Sequence, residues 1–264
     1  MHIDLSKRHA IVSGSTAGIG LAIARGLAAA GAHVVVTGRT RKRVDEAIDS
    51  IRKQVADAKL SGVAGDLGTR EGADQLIAAV PQTDILVNNL GIFEPKTFFD
   101  IPDEDWQHFF EVNVMSGIRL ARHYAKGMAD RGWGRVEFVS SESGVQIPVE
   151  MVHYGMTKTA QLAVSRGLAE TLAGTGVTVN AILPGPTRSE GVSQFIGKIS
   201  AERGLPAAQV EQEFIATERP SSLIKRLATV DEVAHLAVYL ASEQASATTG
   251  AAMRVDGGVV RSVI

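Results

Sequence analysis

The segment HYGMTK, residues 153–158, places a tyrosine and a lysine four positions apart in a stretch with a helical pattern. Positions i and i+4 share one helix face, so the hydroxyl of Tyr154 and the ammonium of Lys158 can both face one ligand. A tyrosine has an ordinary pKa near 10 and is a poor base at neutral pH, but a cation within about 4–6 Å favours its phenolate. We therefore expect Lys158 to lower the pKa of Tyr154 and make it a proton donor and acceptor.

The elements that must position this pair alternate along the chain. Short apolar runs rich in β-branched residues predict strands at 9–13, 33–37, 84–88, 135–140 and 177–182, with weaker candidates at 60–65 and 251–255. Helical patterns lie between them, at about 18–30, 41–56, 69–79, 103–130 (with a break), 151–174 and 230–241. Continuously apolar strands separated by helices predict a doubly wound α/β fold with a mostly parallel seven-stranded sheet, the Rossmann fold.

Length and composition are typical of a soluble globular chain. The 264 residues are 45% hydrophobic and carry a formal net charge of −2, which argues against a general nucleic-acid-binding surface. Length alone allows two domains, but no Pro/Ser-rich linker interrupts the chain, so we expect one domain spanning 1–264. Within it, residues 188–228 break the alternation and predict two short amphipathic helices split at Gly204 and Pro206, which we interpret as a substrate loop.

Several other classes of site are disfavoured. The chain has no cysteine, which excludes disulfides and thiolate metal sites, and its histidines lack metal-ligand spacing, so no catalytic metal is expected. No apolar run approaches the length needed to cross a membrane, and the apolar stretch near the start is too short for a signal peptide. We expect a cytoplasmic protein.

A glycine-rich turn follows the first predicted strand. In VSGSTAGIG, residues 12–20, the glycines Gly14, Gly18 and Gly20 lie where a backbone turns sharply into a helix and can approach an anion closely. A tight strand-to-helix turn also needs glycine without any ligand, so the turn alone is weak evidence. Its strand–turn–helix context favours a site for a dinucleotide pyrophosphate.

The end of the second strand bears on the choice of cofactor. An NAD site of this architecture usually has an acidic residue about 20 residues beyond the glycine turn, but here Gly38 and Arg39 stand there. Arg39, Arg41, Lys42 and Arg43 form a basic cluster, and guanidinium groups pair well with phosphate. The alternative interpretation of the cluster is a solvated helix start without a ligand. Cations in the first turn of a helix oppose its dipole, however, so the cluster is unfavourable unless an anion compensates it. The cluster favours NADP(H), with NAD(H) as the alternative.

Several separated motifs together give a resemblance that covers nearly the whole chain. VSGSTAGIG resembles a T-G-x-x-x-G-x-G turn, NNLG at 88–91 resembles N-N-A-G, and VNV at 112–114 and VSSESG at 139–144 precede the Y-x-x-x-K pair. GDL at 65–67, LPGPTRS at 183–189 and VDGG at 255–258 match further motifs in the same order. In these motifs the chain resembles the short-chain dehydrogenase/reductase family.

This resemblance implies roles for individual residues. Tyr154 would be the general acid/base and Lys158 would also hold the nicotinamide ribose, while Ser141 would donate a hydrogen bond to the substrate oxygen, with Ser140 and Ser143 as competing candidates. Asn113 would distort its helix and hold a water that relays protons from Lys158. The cofactor-binding residues implied are Gly14, Ser15, Thr16, Gly18, Ile19, Gly20, Arg39, Asp66, Leu67, Asn89, Gly91, Tyr154, Lys158, Pro184, Gly185 and Thr187.

The expected activity is hydride transfer between NADP(H) and a carbonyl or secondary alcohol, on a small or acyl-chain substrate similar to those of the family's 3-oxoacyl reductases. An NAD-linked polyol or sugar dehydrogenase is the alternative enzyme. A nucleotide-binding regulatory protein without turnover is the alternative of another class. The family resemblance also implies a homotetramer, and residues Phe93, Gln146, Ile147, Glu150 and Met151 are candidate pocket residues.

Overall fold

Apolar β-branched runs form seven strands of one sheet, and every neighbouring pair is parallel. The computed structural model describes residues 2–263. The strands are β1 (His9–Val12), β2 (His33–Gly38), β3 (Leu60–Ala64), β4 (Ile85–Asn88), β5 (Gly134–Val139), β6 (Val177–Pro184) and β7 (Ala252–Val255). Their order in the sheet is β3-β2-β1-β4-β5-β6-β7, which confirms the predicted doubly wound Rossmann fold.

Helices connect the strands and cover both faces of the sheet. They are α1 (Gly18–Ala29), α2 (Arg41–Arg52), α3 (Arg70–Ala79), α4 (Asp103–Phe110), α5 (Ser116–Asp130), α6 (Val152–Thr171), α7 (Glu190–Arg203), α8 (Ala207–Glu218) and α9 (Val230–Leu240). The predicted break in the 103–130 helix is a five-residue π-helical turn, Glu111–Met115, between α4 and α5.

Two apolar layers hold the helices on the sheet. On one face, α1, α2 and α9 pack through residues such as Ile23, Ile48 and Val233. On the other face, α3, α5 and α6 contribute residues such as Leu76 and Leu120. The chain leaves β3 at one edge and returns to β4 on the other side of β1, so the carboxyl ends of β1 and β4 form the topological switch point where ligands bind in such sheets.

The segment between β6 and α9 forms two helices, as the sequence predicts. Ser189 caps α7 by accepting a hydrogen bond from the backbone nitrogen of Val192, and Gly204 ends α7 in the left-handed conformation (φ 64°). Pro206 immediately precedes α8. We call residues 188–228 the lid because α7 and α8 cover the cleft described below.

A carboxyl group is buried in the middle of the sheet. Glu137 on β5 is 1% exposed, and neither of its carboxyl oxygens has a hydrogen-bond partner among the described residues. Burial raises the pKa of Glu137 well above its ordinary value, and the charge of the nearby Arg135 only partly opposes this. The folded chain therefore retains a proton that the unfolded chain releases.

Because the folded chain retains this proton, we expect Glu137→Gln to be more stable than the wild type by an amount that depends on pH. Each pH unit above the ordinary carboxyl pKa of about 4.3, up to the raised value, costs the wild type about 1.4 kcal/mol of unfolding free energy. Glutamine does not ionise, so its advantage over wild type should grow as pH rises from about 4 to 8 in urea titrations. The exposed Glu46→Gln is the matched control. A Glu137→Gln difference that stays constant over this range would contradict the assignment.

Candidate active site

The glycine turn joins β1 to α1 at the switch point. Gly14 and Gly18 have positive φ values of 62° and 56°, which L-residues with side chains rarely adopt. At Gly20 a Cβ would lie 2.4 Å from the carbonyl oxygen of Gly14, so only glycine fits. Ser15 donates its hydroxyl to the carbonyl oxygen of Val12, which ties the turn to β1. The N-cap residue Ala17 makes no side-chain cap hydrogen bond, so the amino end of α1 has backbone donors for an anion, as a pyrophosphate site requires.

Asn89, after β4, braces this turn. Its side-chain nitrogen donates to the carbonyl oxygens of Ser13 and Gly14 at 3.0 and 3.1 Å. The Ser13 hydroxyl in turn accepts from the backbone nitrogens of Asn89 and Leu90. The two loops at the carboxyl ends of β1 and β4 are therefore one hydrogen-bonded unit.

The basic cluster lies at the end of β2 and the start of α2. Arg41 pairs with Asp45, Lys42 with Glu46 and Arg43 with Glu190 of the lid. Arg39 is exposed and makes no hydrogen bond or ion pair within residues 2–263. At Gly38 a Cβ would lie 2.4 Å from Cγ2 of Thr16, so the glycine turn packs directly against this strand end. Arg39 is thus the cation of the cluster that remains available to a ligand.

The remaining residues of the predicted cofactor set differ in surroundings. Asp66 is exposed and its Oδ1 accepts from the backbone nitrogen of Gly68, whereas the side chain of Leu67 is buried in the core. At Gly185 a Cβ would lie 2.5 Å from the carbonyl oxygen of Asp256, so the LPGP and VDGG segments are in contact. The members of the set that line the central cleft are Ile19, Asn89, Gly91, Tyr154, Lys158, Pro184, Gly185 and Thr187.

Tyr154 and Lys158 lie on the face of α6 that forms one wall of this cleft. The Lys158 nitrogen is 5.6 Å from the centre of the Tyr154 ring. It donates to the carbonyl oxygen of Val139 at 2.9 Å and to Oε1 of Gln161 at 3.2 Å. An ammonium has three hydrogens, so one remains for a ligand. Burial lowers the pKa of Lys158 to about 8.

Asn113 lies in the π-helical turn, so the predicted helix distortion is present at this residue. Its side chain accepts from the backbone nitrogen of Ile92 at 2.7 Å and donates to the carbonyl oxygen of Ile92 and to the hydroxyl of Thr157, both at 3.0 Å. Its backbone carbonyl oxygen accepts from Nε2 of Gln161 at 2.6 Å. Gln161 therefore bridges Asn113 to Lys158.

The three candidate serines have different partners. Ser140 donates its hydroxyl to the carbonyl oxygen of Lys158, which is a structural contact with α6. The hydroxyl of Ser141 donates to the carboxylate of Glu142 and accepts from the backbone nitrogen of Ser143 at 3.1 Å. Among the three serines, Ser141 is the one that lowers the pKa of Tyr154, so it is the serine that acts on the phenol.

The chain's own groups raise the pKa of Tyr154 instead of lowering it, and Lys158 is not among the groups that dominate the shift. Burial of the phenol, followed by the charge of Glu142, raises the pKa of Tyr154 above its usual value. The hydrogen bond with Ser141 and the charge of Arg219 act in the opposite direction and are outweighed. Desolvation and Glu142 therefore dominate, and the phenol is the protonated form at neutral pH.

The cleft has a volume of about 750 Å³ and runs from the glycine turn to the inner side of the lid. Its wall near Tyr154 carries Ser141 and Glu142, and three of the five candidate pocket residues, Phe93, Glu150 and Met151, line it. The lid contributes five apolar side chains, Val192, Phe195, Ile199, Val210 and Phe214, and six polar or charged ones, Ser189, Arg203, Glu213, Thr217, Glu218 and Arg219. The lid side of the cleft therefore combines apolar and charged surface.

Comparison with known proteins identifies the family. The family model described as enoyl-(acyl carrier protein) reductase matches residues 14–260. The chain belongs to the short-chain dehydrogenase/reductase family. The uncharacterized oxidoreductase YvaG of Bacillus subtilis is 48% identical over 263 residues, with full coverage of both chains. The D-beta-hydroxybutyrate dehydrogenase of Cupriavidus necator is 33% identical, over 97% of this chain and 99% of its own.

A solved structure of the family has closely similar geometry. The L-sorbose reductase of Gluconobacter frateurii, in complex with NADPH and L-sorbose, superposes with a TM-score of 0.94 at 33% identity, covering 100% of each chain. Together with the family match, this makes the protein a short-chain dehydrogenase/reductase acting on alcohol or ketone groups. No helix in the described part of the chain has the length and apolarity to cross a membrane.

Sequence reasoning missed four residues that the site uses. Gln161 lies one helical turn after Lys158, and Thr157 directly precedes Lys158. The spacing along α6 was therefore the available signal for both residues. Glu142 follows Ser141 directly, but its carboxylate contacts are visible only in the fold. Arg219 approaches Glu142 from 77 positions away, and no local pattern predicts that contact.

The glycine turn generates a test of cofactor binding. In Gly20→Ala the new methyl group would overlap a backbone oxygen that cannot move without opening the turn, so NADPH affinity should fall by about tenfold or more in a fluorescence titration. Gly197→Ala is the matched control, because a Cβ on this exposed helical glycine meets no described atom within 4 Å. Equal NADPH affinity in the two variants would refute the turn as the pyrophosphate site.

Proposed function

We propose that the protein is an NADP(H)-dependent oxidoreductase in which Tyr154 exchanges a proton with a carbonyl or secondary alcohol. The main support is the placement of Tyr154, Lys158 and Ser141 on one wall of a cleft whose other end is the glycine turn. A bound nicotinamide would supply the hydride at this site. The cradle at Gly14 and Gly20 and the third hydrogen of Lys158 fit such a group.

Each side chain has a distinct part in this proposal. Tyr154, protonated at neutral pH, donates its hydroxyl proton to the substrate oxygen in reduction and takes it back in oxidation. Lys158 uses its remaining hydrogen for the ribose hydroxyls and adds positive charge below the phenol. Ser141 orients the substrate oxygen. The water relay through Asn113 stays a prediction, and Gln161 is the group that connects Asn113 to Lys158.

The cofactor preference rests on Arg39. Of the basic cluster it is the residue without a protein partner in the described chain, and Gly38 stands where an acidic residue would select NAD. L-sorbose reductase was solved with NADPH, which supports the same choice here. We therefore propose that Arg39 binds the 2′-phosphate and that NADP(H) is preferred to NAD(H).

For the substrate, the apolar side chains of the lid favour a small or acyl-chain carbonyl. Phe195 and Phe214 pack edge to face with ring centres 6.4 Å apart, and both line the cleft. The similarity to L-sorbose reductase favours instead a polyol or sugar, and this is the alternative candidate. A turnover screen of β-keto esters against ketoses, each with NADPH, separates the two classes.

The homotetramer and the cytoplasmic location stay predictions from the sequence. Exposed apolar side chains such as Phe99 and Val149 lie before α4 and α6, and they support association of copies of this chain. Static light scattering is the measurement for the tetramer, and a monomeric mass would exclude it.

The cofactor proposal predicts a selective effect of Arg39→Leu. Loss of a charge-assisted contact with the 2′-phosphate should weaken NADPH binding by about tenfold or more and leave NADH binding unchanged. Lys42→Leu removes a neighbouring charge that is 84% exposed and serves as the control. Equal losses for NADPH and NADH, or equal losses in the two variants, would contradict the role of Arg39.

The mechanism predicts that Tyr154→Phe abolishes turnover and retains the cofactor. Phenylalanine preserves the ring and removes the proton, so the rate with a confirmed substrate should fall by at least about a hundredfold. NADPH affinity, measured by fluorescence, should change by less than about threefold, because phenylalanine keeps the aromatic ring and leaves the glycine turn and Lys158 intact. Unchanged turnover would eliminate the mechanism, and absence of turnover in the wild type with every substrate would favour a non-catalytic nucleotide-binding protein.

A further inference from the structure

A buried ion pair connects the lid to the catalytic serine. Arg219, immediately after α8, is 8% exposed and donates from Nε to Oε1 of Glu142 at 3.0 Å. Its Nη1 group also pairs with Glu150 at 3.2 Å. Removing two charges from water is costly unless their geometry is good. Stabilisation of the lid alone is therefore a weak explanation for a buried ion pair. One ion pair within the lid, Arg188–Glu211, is far more exposed at its arginine.

The second oxygen of Glu142 determines where the Ser141 proton points. Oε2 of Glu142 accepts from the hydroxyl of Ser141 and from the backbone nitrogen of Ser143. A serine hydroxyl has one hydrogen, so while it donates to Glu142 it cannot donate to a substrate oxygen. The carboxylate therefore controls the donor that the proposed mechanism requires.

The same carboxylate determines the charge around Tyr154. Charged groups line this part of the cleft from four segments: Glu142 after β5, Glu150 before α6, Lys158 on α6, and Glu218 and Arg219 at the end of α8. Arg203 and Glu213, which also line the cleft, pair with each other at 2.8 Å. Glu142 disfavours the phenolate form of Tyr154, and Arg219 partly compensates this effect.

We propose that Glu142 and Arg219 are positioning residues, in which the Glu142 carboxylate holds the Ser141 hydroxyl and the lid arginine balances the negative charge placed beside Tyr154. The proposal rests on the role of Tyr154 stated under the proposed function. Because Arg219 belongs to the lid, seating the lid changes the electrostatic environment of the catalytic phenol. A purely mechanical clasp would hold the lid without affecting the ionisation of Tyr154.

Opposite charge changes distinguish these two roles. Glu142→Gln keeps the side-chain shape and removes the negative charge, so the ionisation midpoint of Tyr154 should fall. Arg219→Met leaves Glu142 uncompensated, so the midpoint should rise. Each shift should be on the order of one pH unit, as expected for a nearby charge. If the ion pair were only a mechanical clasp, the Tyr154 midpoint would shift in the same direction in both variants or would not shift in either.

The ionisation of Tyr154 can be measured without a substrate. The chain has only three tyrosines, so ¹³Cζ-tyrosine NMR of NADP⁺-saturated protein resolves few signals, and Tyr154→Phe assigns the relevant one. The expected order of midpoints is Glu142→Gln, then wild type, then Arg219→Met, within the pH range where circular dichroism shows an intact fold. Arg219→Lys keeps the charge and should restore the wild-type midpoint. Arg188→Met, which removes a lid ion pair away from the phenol, should not shift it.

The proposal is overturned if Glu142→Gln leaves the Tyr154 midpoint unchanged or raises it, even where Arg219→Met does not fold. It is also overturned if Arg188→Met shifts the midpoint as much as Arg219→Met. The readout is independent of turnover, so an active Tyr154→Phe enzyme would refute the mechanism while leaving this ordering measurable. Conversely, a wrong order of midpoints with an inactive Tyr154→Phe enzyme would refute only the positioning roles.

Discussion

The buried ammonium of Lys158 is the group around which the Tyr154 face of α6 is organised. It donates to the carbonyl oxygen at the end of β5 and to Gln161, which in turn donates to the carbonyl oxygen of Asn113 in the π-helical turn. These contacts join a strand, a helix and a distorted helix at one point. They stabilise the ammonium of Lys158, which is 4% exposed and lies beside Tyr154, at a place where burial disfavours a charged group. The sheet positions this unit at the switch point, next to the glycine turn.

The acidity of the phenol results from a balance of several groups. Burial and Glu142 favour the protonated tyrosine, whereas Ser141 and Arg219 favour the phenolate. A protonated phenol is the form that reduction of a carbonyl requires, and the positive charge of an oxidised nicotinamide would favour the reverse transfer. The fold therefore does not need Lys158 to ionise Tyr154 by itself. The lid takes part in the balance because it carries Arg219 into the same wall.

How far the sequence predicted this site depends on how local each feature is. The Tyr154–Lys158 pair, the glycine turn and the alternation of strands and helices follow from spacing along the chain, and all seven strands lie at the predicted places. The raised pKa of Tyr154 was not predicted, because desolvation depends on segments packed from far along the chain. The Arg219–Glu142 contact was not predicted because it spans 77 positions and depends on the path of the lid.

A crystal structure with bound NADP⁺ tests the central claim most directly. The account predicts that the third hydrogen of Lys158 is donated to a hydroxyl of the nicotinamide ribose, with the nicotinamide ring beside Tyr154 and the pyrophosphate at the amino end of α1. A nicotinamide bound away from Tyr154, with Lys158 still bonded only to Val139 and Gln161, would contradict it.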